Sequence, residues 1–274
     1  MKTFSFMSIV PGFRLKQILH MLYYFFFKPS LYDSFLKLNV RFNDGLVVFK
    51  IYGIEYSLKI KTCMTFHFLS YYLNTEMLAY FHNYMPKSGD IVFDLGGYMG
   101  AFTFYMSKLV GDKGRVYTFE PNPENYLIIQ NIIDDNKLTN VVLIKKGIFN
   151  KTGNLEFYGS GSSGNFVNIY NEGRNNTFEV ISLDDFVRQY SINSINYIKS
   201  DIESAEIQLL EGAKESIKKG VVKNWAIASY HRLTNEKRAY IDCEKILKDY
   251  NVDFKTKFWG GTTPFVTYIR QDKQ

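Results

Sequence analysis

Hydrophobic and polar positions follow different rhythms in different parts of the chain. Residues 38–60, with "LNVRF" and "LVVFKIYGIEYSLKI", are rich in β-branched and aromatic residues around an Asn43-Asp44-Gly45 turn signal, which predicts a β-hairpin or meander. Residues 62–84 carry apolar positions that suit a helix, and Pro86, Ser88 and Gly89 then break the chain. Beyond the break, the pattern predicts strands over 91–95, 115–119 and 141–145 and helices over about 100–110 and 123–135. It resumes with strands over 195–200 and 224–230, helices over 203–218 and 235–249, and closing strands near 252–258 and 264–269. Repeated βα units of this length predict a mostly parallel, seven-stranded sheet with helices on both faces. The expected organisation is an N-terminal helical and β-hairpin extension, residues 1–84, followed by one α/β domain, residues 85–274.

The alternation is interrupted between residues 146 and 194, where "NLEFYG" and "TFEVISL" read as strands around the glycine- and serine-rich stretch from Gly159 to Asn165. That stretch is either a hairpin connection or a lid over the substrate site. The run Leu19–Phe27, "LHMLYYFFF", covers about half of the roughly 20 residues a membrane span needs and ends at Lys28-Pro29. It is either a packed helix or a helix lying on a membrane surface beside Arg14, Lys16 and Lys28.

Composition narrows the class without naming a function. With 274 residues, 46% hydrophobic and 17% aromatic, the chain can bury a large core. Its formal charge of +6 is spread in short doublets such as Lys145-Lys146, which argues against a nucleic-acid stripe. Cys63 and Cys243 stand far apart in no ligand-like spacing, so neither a disulfide framework nor a zinc site is indicated and a reducing, cytoplasmic setting is expected.

The first chemistry lies in "IVFDLGGYMG", where a strand ends on Asp94 and Gly96, Gly97 and Gly100 follow. Open α/β sheets bind ligands at the carboxyl ends of their strands, where strand order reverses, and glycines there turn the backbone and admit a ligand to bare amides. A nicotinamide fingerprint would place its first glycine at Leu95, so that reading, an oxidoreductase or epimerase, is disfavoured. Glu120, twenty residues after Gly100 and at the end of the second strand, is placed to take the two hydroxyls of a ribose. A carboxylate where a pyrophosphate loop would begin suits a nucleoside bearing a cation, and S-adenosylmethionine meets that description. Asp94 is then expected to hold the methionine amino group, directly or through water. Asn122 and Pro123 in "FEPNPENY" read as the N-cap and first residue of the next helix, a cap that would also fix Glu120.

Through "VFDLGGYMG", "VYTFEPNPENY" and "NYIKSDIESAEIQLLEGA", with "SLDDF" between them, the chain resembles the FkbM-type S-adenosylmethionine-dependent methyltransferases over about residues 85–235. The resemblance implies a Rossmann-like class I methyltransferase fold and methyl transfer to oxygen, often on hydroxyls of sugars or natural products. The family pattern has alanine-asparagine where this chain has Gly97-Tyr98, and glycine where it has Ser204.

Asp201 and Glu203 cluster after the strand that carries Lys199, on the same sheet edge as Asp94 and Glu120 if the strands are parallel, and His231 emerges from the next strand after "WAIASY". Carboxylates in a first helical turn also complement the helix dipole without any chemistry. Lys199, in an otherwise apolar strand, needs either a salt-bridge partner or a substrate to bind. His231 could remove the proton of an acceptor hydroxyl. Alternatively, Asp201, Glu203 and His231 could hold a divalent cation that lowers the hydroxyl pKa. The base is preferred, because three dispersed ligands have no recognised spacing. Tyr98, Phe149 and Tyr230 fall near strand ends, and Gly147 and Ile148, after the third strand, could flank an adenine by location alone. The expected protein is thus a methyltransferase acting on a hydroxylated small molecule or saccharide, with a noncatalytic binding module as the remaining alternative.

Overall fold

The computed structural model describes residues 41–43, 46–51, 54–59, 79–158, 175–231, 238–259 and 263–269. The chain divides into two compact units, residues 1–77 and 78–274. In the first, β1 (Arg41–Asn43), β2 (Leu46–Ile51) and β3 (Ile54–Lys59) form an antiparallel sheet in which Leu46 faces Lys59 and Arg41 faces Val48. This is the meander expected over 38–60. The aromatic run at 19–27 and the loop at 159–165 lie outside the described residues, as does all of the 62–84 helix before Ala79. Among the described residues no helix is long and apolar enough to cross a membrane.

The second unit runs β4 (Ile91–Leu95), α1 (Ala101–Val110), β5 (Arg115–Phe119), α2 (Pro123–Asn136), β6 (Val141–Ile144), β7 (Gly147–Phe149), β8 (Gly153–Tyr158), β9 (Asn175–Ser182) and α3 (Leu183–Gln189). It continues with β10 (Tyr197–Ser200), α4 (Glu206–Glu211), α5 (Lys214–Lys218), β11 (Asn224–Ala228), α6 (Ala239–Asp249), β12 (Phe254–Trp259) and β13 (Thr263–Ile269). Seven of these strands form one sheet in the order β12-β13-β11-β10-β4-β5-β6. The five from β11 to β6 are parallel, and β13 is antiparallel to both β11 and β12. Strand order reverses between β4 and β10, where Asp94 pairs directly with Lys199.

Because side chains alternate along a strand, each strand feeds both faces. Phe93, Leu95, Phe119, Ile198, Trp225 and Ile227 join one buried cluster with Phe186, Leu209, Ala213 and Leu247 of α3 to α6 and the bend between them. On the opposite face Asp94 meets Thr103 of α1, while Tyr197 packs its ring on Phe81 and Tyr84. Both faces are thus covered, as the near-continuous apolar strands require.

Three departures from the sequence pattern have local causes. The single helix expected over 203–218 is two helices, because Gly212 lies against the end of β7: a Cβ there would stand 2.2 Å from the Phe149 carbonyl oxygen. Asp184 of α3 then starts α5 afresh, accepting from the amides of Glu215 and Ser216 at 2.9 and 2.7 Å. "SLDDF" is therefore a helix start, with Ser182 as N-cap and Asp184 bracing a neighbouring helix. Finally, β8 and β9 pair as the expected hairpin, but β7 joins β9 in parallel to make a separate three-stranded sheet. Gly147 and Ile148 both lie in β7, and Ile148 is buried in the core cluster, so their suggested place beside an adenine stays one of location alone.

Candidate active site

The loop leaving β4 is tied down before any ligand is considered. The amides of Gly96 and Gly97 both donate to the Phe119 carbonyl, at 3.1 and 3.0 Å. Gly96 has φ 86°, and a Cβ on it would lie 2.0 Å from the Asp201 carbonyl oxygen. Gly97 would meet the Thr118 methyl at 2.5 Å and Ile129 Cδ1 at 2.8 Å. These glycines are therefore required by the close approach of β10, β5 and α2, a constraint that the ligand-centred expectation did not include. Gly100 is the N-cap of α1.

Tyr98 follows with φ 49°, and its amide donates to Glu120 Oε2 at 2.7 Å. Glu120 Oε1 accepts from the Asn122 amide at 2.9 Å. Asn122 in turn caps α2, its Oδ1 accepting from Glu124 and Asn125 amides at 2.8 and 3.2 Å, with Pro123 as the first helical residue. The carboxylate is 5% exposed. Burial pushes its pKa up to about 7, against the backbone donors of Asn122 and Tyr98, the Asn125 side chain and the charge of Lys199. A carboxylate offers about four acceptor positions, and two backbone amides and the Asn125 side chain take three of them, so Glu120 keeps one for a ribose hydroxyl and can take the second where Asn125 gives way. Their donation would favour its ionised form. The Tyr98 ring is 41% exposed, with its hydroxyl pKa raised by burial and by the nearby charges of Glu203 and Glu120.

Asp94 and Lys199 stand differently from expectation. The Asp94 side chain is 0% exposed, with Thr103 Oγ1 donating to Oδ2 at 2.7 Å and Lys199 Nζ bonding Oδ1 at 3.0 Å. Lys199 also donates to the Gly96 carbonyl at 2.6 Å and sits over the Tyr80 and Phe102 rings. Asp94 thus faces the interior, and the direct hold on a methionine amino group is not open to it in this arrangement. It anchors Lys199, which fixes the glycine loop, and Lys199 takes the salt-bridge role in place of a substrate contact.

The second constellation forms where β10 and β11 end. The Asp201 amide donates to the Leu95 carbonyl at 3.0 Å, which sets its carboxylate beside the glycine loop. Tyr80 donates to Asp201 Oδ2 at 2.8 Å, and Tyr230 lies 3.4 Å from both oxygens. Glu203 and Ser204 both have left-handed backbone, φ 52° and 81°, which delays α4 to Glu206. His231 Nε2 lies 3.5 Å from Asp201 Oδ1 and 3.6 Å from Glu203 Oε2, and its Nδ1 is 2.7 Å from Glu206 Oε1. One ligand atom each from Asp201, Glu203 and His231 falls within a mutual 4.8 Å, a spacing and a donor set that fit a hard or borderline divalent cation.

Burial lowers the His231 pKa, but the Glu206 hydrogen bond and the charges of Glu206, Asp201 and Glu203 outweigh it and lift the group to about 9. Near neutrality the imidazole carries its proton, so the preferred role of accepting one from a hydroxyl is not available without a change at the site. The sequence reading also missed Glu206, although it lies on the apolar stripe with Leu209, Leu210, Ala213 and Ile217. A carboxylate in that stripe signals a buried partner.

A parallel sheet closed by an antiparallel β13, with a glycine loop after β4 and a carboxylate after β5, defines an S-adenosylmethionine-dependent methyltransferase of class I. Residues 89–251 match the FkbM methyltransferase domain, and the chain belongs to that family. A hexuronic acid methyltransferase, AglP of Haloferax volcanii, is 24% identical over 187 residues, 68% of this chain and 73% of that protein. A crystal structure of an FkbM methyltransferase from Methylobacillus flagellatus has the same fold, with TM-score 0.51 and 20% identity. It matches 76% of this chain, which spans about half of the Methylobacillus protein, 54%. Aeropyrum pernix fibrillarin with bound S-adenosylmethionine also shares the fold, with TM-score 0.51 and 15% identity over 85% of this chain and 86% of that one.

Proposed function

We propose that the protein moves the methyl group of S-adenosylmethionine to a hydroxyl of a saccharide or related small metabolite, and that Asp201, Glu203 and His231 hold a divalent cation at the acceptor. The observation that carries this reading is the convergence of His231 Nε2 on Asp201 and Glu203, at 3.5 and 3.6 Å, directly beside the glycine loop. The saccharide class is supported by the name of the Haloferax relative, a hexuronic acid methyltransferase.

Bound S-adenosylmethionine supplies a methyl group activated by its sulfonium. Glu120 is the residue to take the ribose hydroxyls, and Asn122 and the Tyr98 amide keep it oriented. Lys199 and Asp94 keep Gly96 in place, so the reacting groups need little reorganisation. Asp201, Glu203 and His231 would hold the divalent cation, and the cation would supply a lowered pKa to a hydroxyl presented there. His231 would have to lose its Nε2 proton to serve as a ligand there, so cation uptake would release a proton. In-line displacement then depends on alignment and on exclusion of water.

The test is incubation with S-adenosylmethionine and a panel of uronic acids, neutral hexoses and glycans, with Mg²⁺, Mn²⁺ or EDTA, read by mass spectrometry. The expected result is one methyl ether formed with the cation, abolished by EDTA and restored by excess Mn²⁺. Transfer undiminished in EDTA would remove the cation from the account. A methyl found on a carboxylate or a nitrogen would remove the hydroxyl.

A further inference from the structure

Glu206 is the first residue of α4, and its side chain is fully buried. Its Oε1 lies 2.7 Å from His231 Nδ1 and 3.4 Å from the Ser204 amide, while Oε2 has no partner among the described residues. A carboxylate only accepts, so the nitrogen it faces must be the one that donates. Turning the imidazole over would put Cδ2 against Glu206 and Cε1 toward Asp201 and Glu203, so the hydrogen bond at Nδ1 favours the pose that aims Nε2 at those two carboxylates. The Tyr230 ring, 4.3 Å away centroid to centroid, packs on the imidazole but does not distinguish its nitrogens.

We infer that Glu206 is a positioning residue for the transfer centre: by holding Nδ1 of His231 it commits that nitrogen to donate and leaves Nε2 facing Asp201 and Glu203. The left-handed backbone at Glu203 and Ser204 serves the same arrangement, because it folds Glu203 back toward His231 while bringing the Ser204 amide to Glu206. Strain of this kind persists where the surroundings over-determine it. The inference rests on the proposed reading only where it concerns the cation. The choice of nitrogen stands on the hydrogen bond alone.

The experiment compares wild type with Glu206→Gln in two ways. Mn²⁺ binding is followed by electron paramagnetic resonance, with S-adenosylhomocysteine affinity measured alongside. Ring ¹⁵N spectra of metal-free, histidine-labelled protein, recorded above pH 9 where the imidazole is neutral and with His231 assigned through His231→Gln, report which nitrogen carries hydrogen. Glu206→Gln is expected to weaken Mn²⁺ about 10- to 100-fold, as outer partners of ligating histidines do. It should also shift the His231 nitrogens away from the Nδ1-donor pattern and leave S-adenosylhomocysteine affinity within about twofold, because Glu206 does not touch the Glu120 side of the site. Unchanged Mn²⁺ affinity together with unchanged nitrogen spectra would overturn the inference and reduce Glu206 to a helix-start carboxylate. If wild type binds no Mn²⁺, the cation reading fails and the nitrogen spectra alone decide: a shift supports the role of Glu206, and no shift refutes it. Should Glu206→Gln not fold, Glu206→Asp, one carbon too short to reach Nδ1, is judged by the same criteria.

Discussion

Lys199→Met isolates the contact that holds the glycine loop. In the native protein Asp94 and Lys199 are 0% and 4% exposed and 3.0 Å apart. The substitution keeps the length of the stem but removes the charge, leaving the Asp94 carboxylate with the Thr103 hydroxyl and the Gly96 carbonyl without its 2.6 Å donor. Breaking a buried ion pair from one side costs about 3–5 kcal/mol, because the remaining charge is stranded, and this is a large part of the 5–15 kcal/mol typical of a whole domain. With a urea slope of about 3 kcal/mol/M, a loss of about 4 kcal/mol moves the midpoint down by more than 1 M. Lys199→Met/Asp94→Asn removes both charges and should recover most of that loss. Lys219→Met, which breaks an exposed pair 3.4 Å long, should leave the midpoint within error. The assay is urea unfolding by circular dichroism, with equal slopes required for comparison. A loss below about 1 kcal/mol, or a double variant no more stable than the single one, would refute the view that the Asp94 charge is stranded without Lys199.

Other outcomes follow from the same geometry. His231 has a pKa raised from 6.5 to about 9, so its protonation stabilises the fold by about 3 kcal/mol below pH 6.5 and that contribution is lost as pH rises through 9. In EDTA, unfolding free energies of the wild type should fall over this window, and His231→Gln should flatten the decline. Ser204 has φ 81°, where an L side chain costs about 1 kcal/mol or more, so Ser204→Gly should raise the melting temperature by a few degrees. A lower melting temperature would mean that the serine side chain outweighs its strained backbone. Gly96→Ala places a methyl 2.0 Å from the Asp201 carbonyl and should unfold the protein or displace the loop, read as lost S-adenosylhomocysteine binding.

Much of the sheet and half of the site could be read from the chain because they are local. The stretch from Ile91 to Asn136 carries its own instructions: an apolar strand, glycines, a second strand ending at Glu120, then an Asn-Pro cap. The remainder depends on which strands become neighbours. Lys199 and Asp94 are directly paired across β10 and β4, a register that periodicity along either strand does not reveal. Alternation correctly puts Asp94 at a strand end, but it is α1 and Thr103 that close the face onto which it points. His231 is lifted to about 9 by three carboxylates from the turn after β10 and the start of α4, so its protonation belongs to the assembled edge. The two departures from the family pattern acquire a physical meaning only in three dimensions. Tyr98 and Ser204 both occupy left-handed backbone, which asparagine and glycine adopt at less cost.

The most direct test of the cofactor assignment is calorimetric titration of S-adenosylhomocysteine into wild type and Glu120→Gln. One hydroxyl hydrogen bond to an ionised carboxylate, at about 1.5 kcal/mol or more, predicts a loss of at least about 10-fold in affinity. An equal dissociation constant for the two proteins, with both shown to be folded, would contradict the placement of the nucleoside at the end of β5.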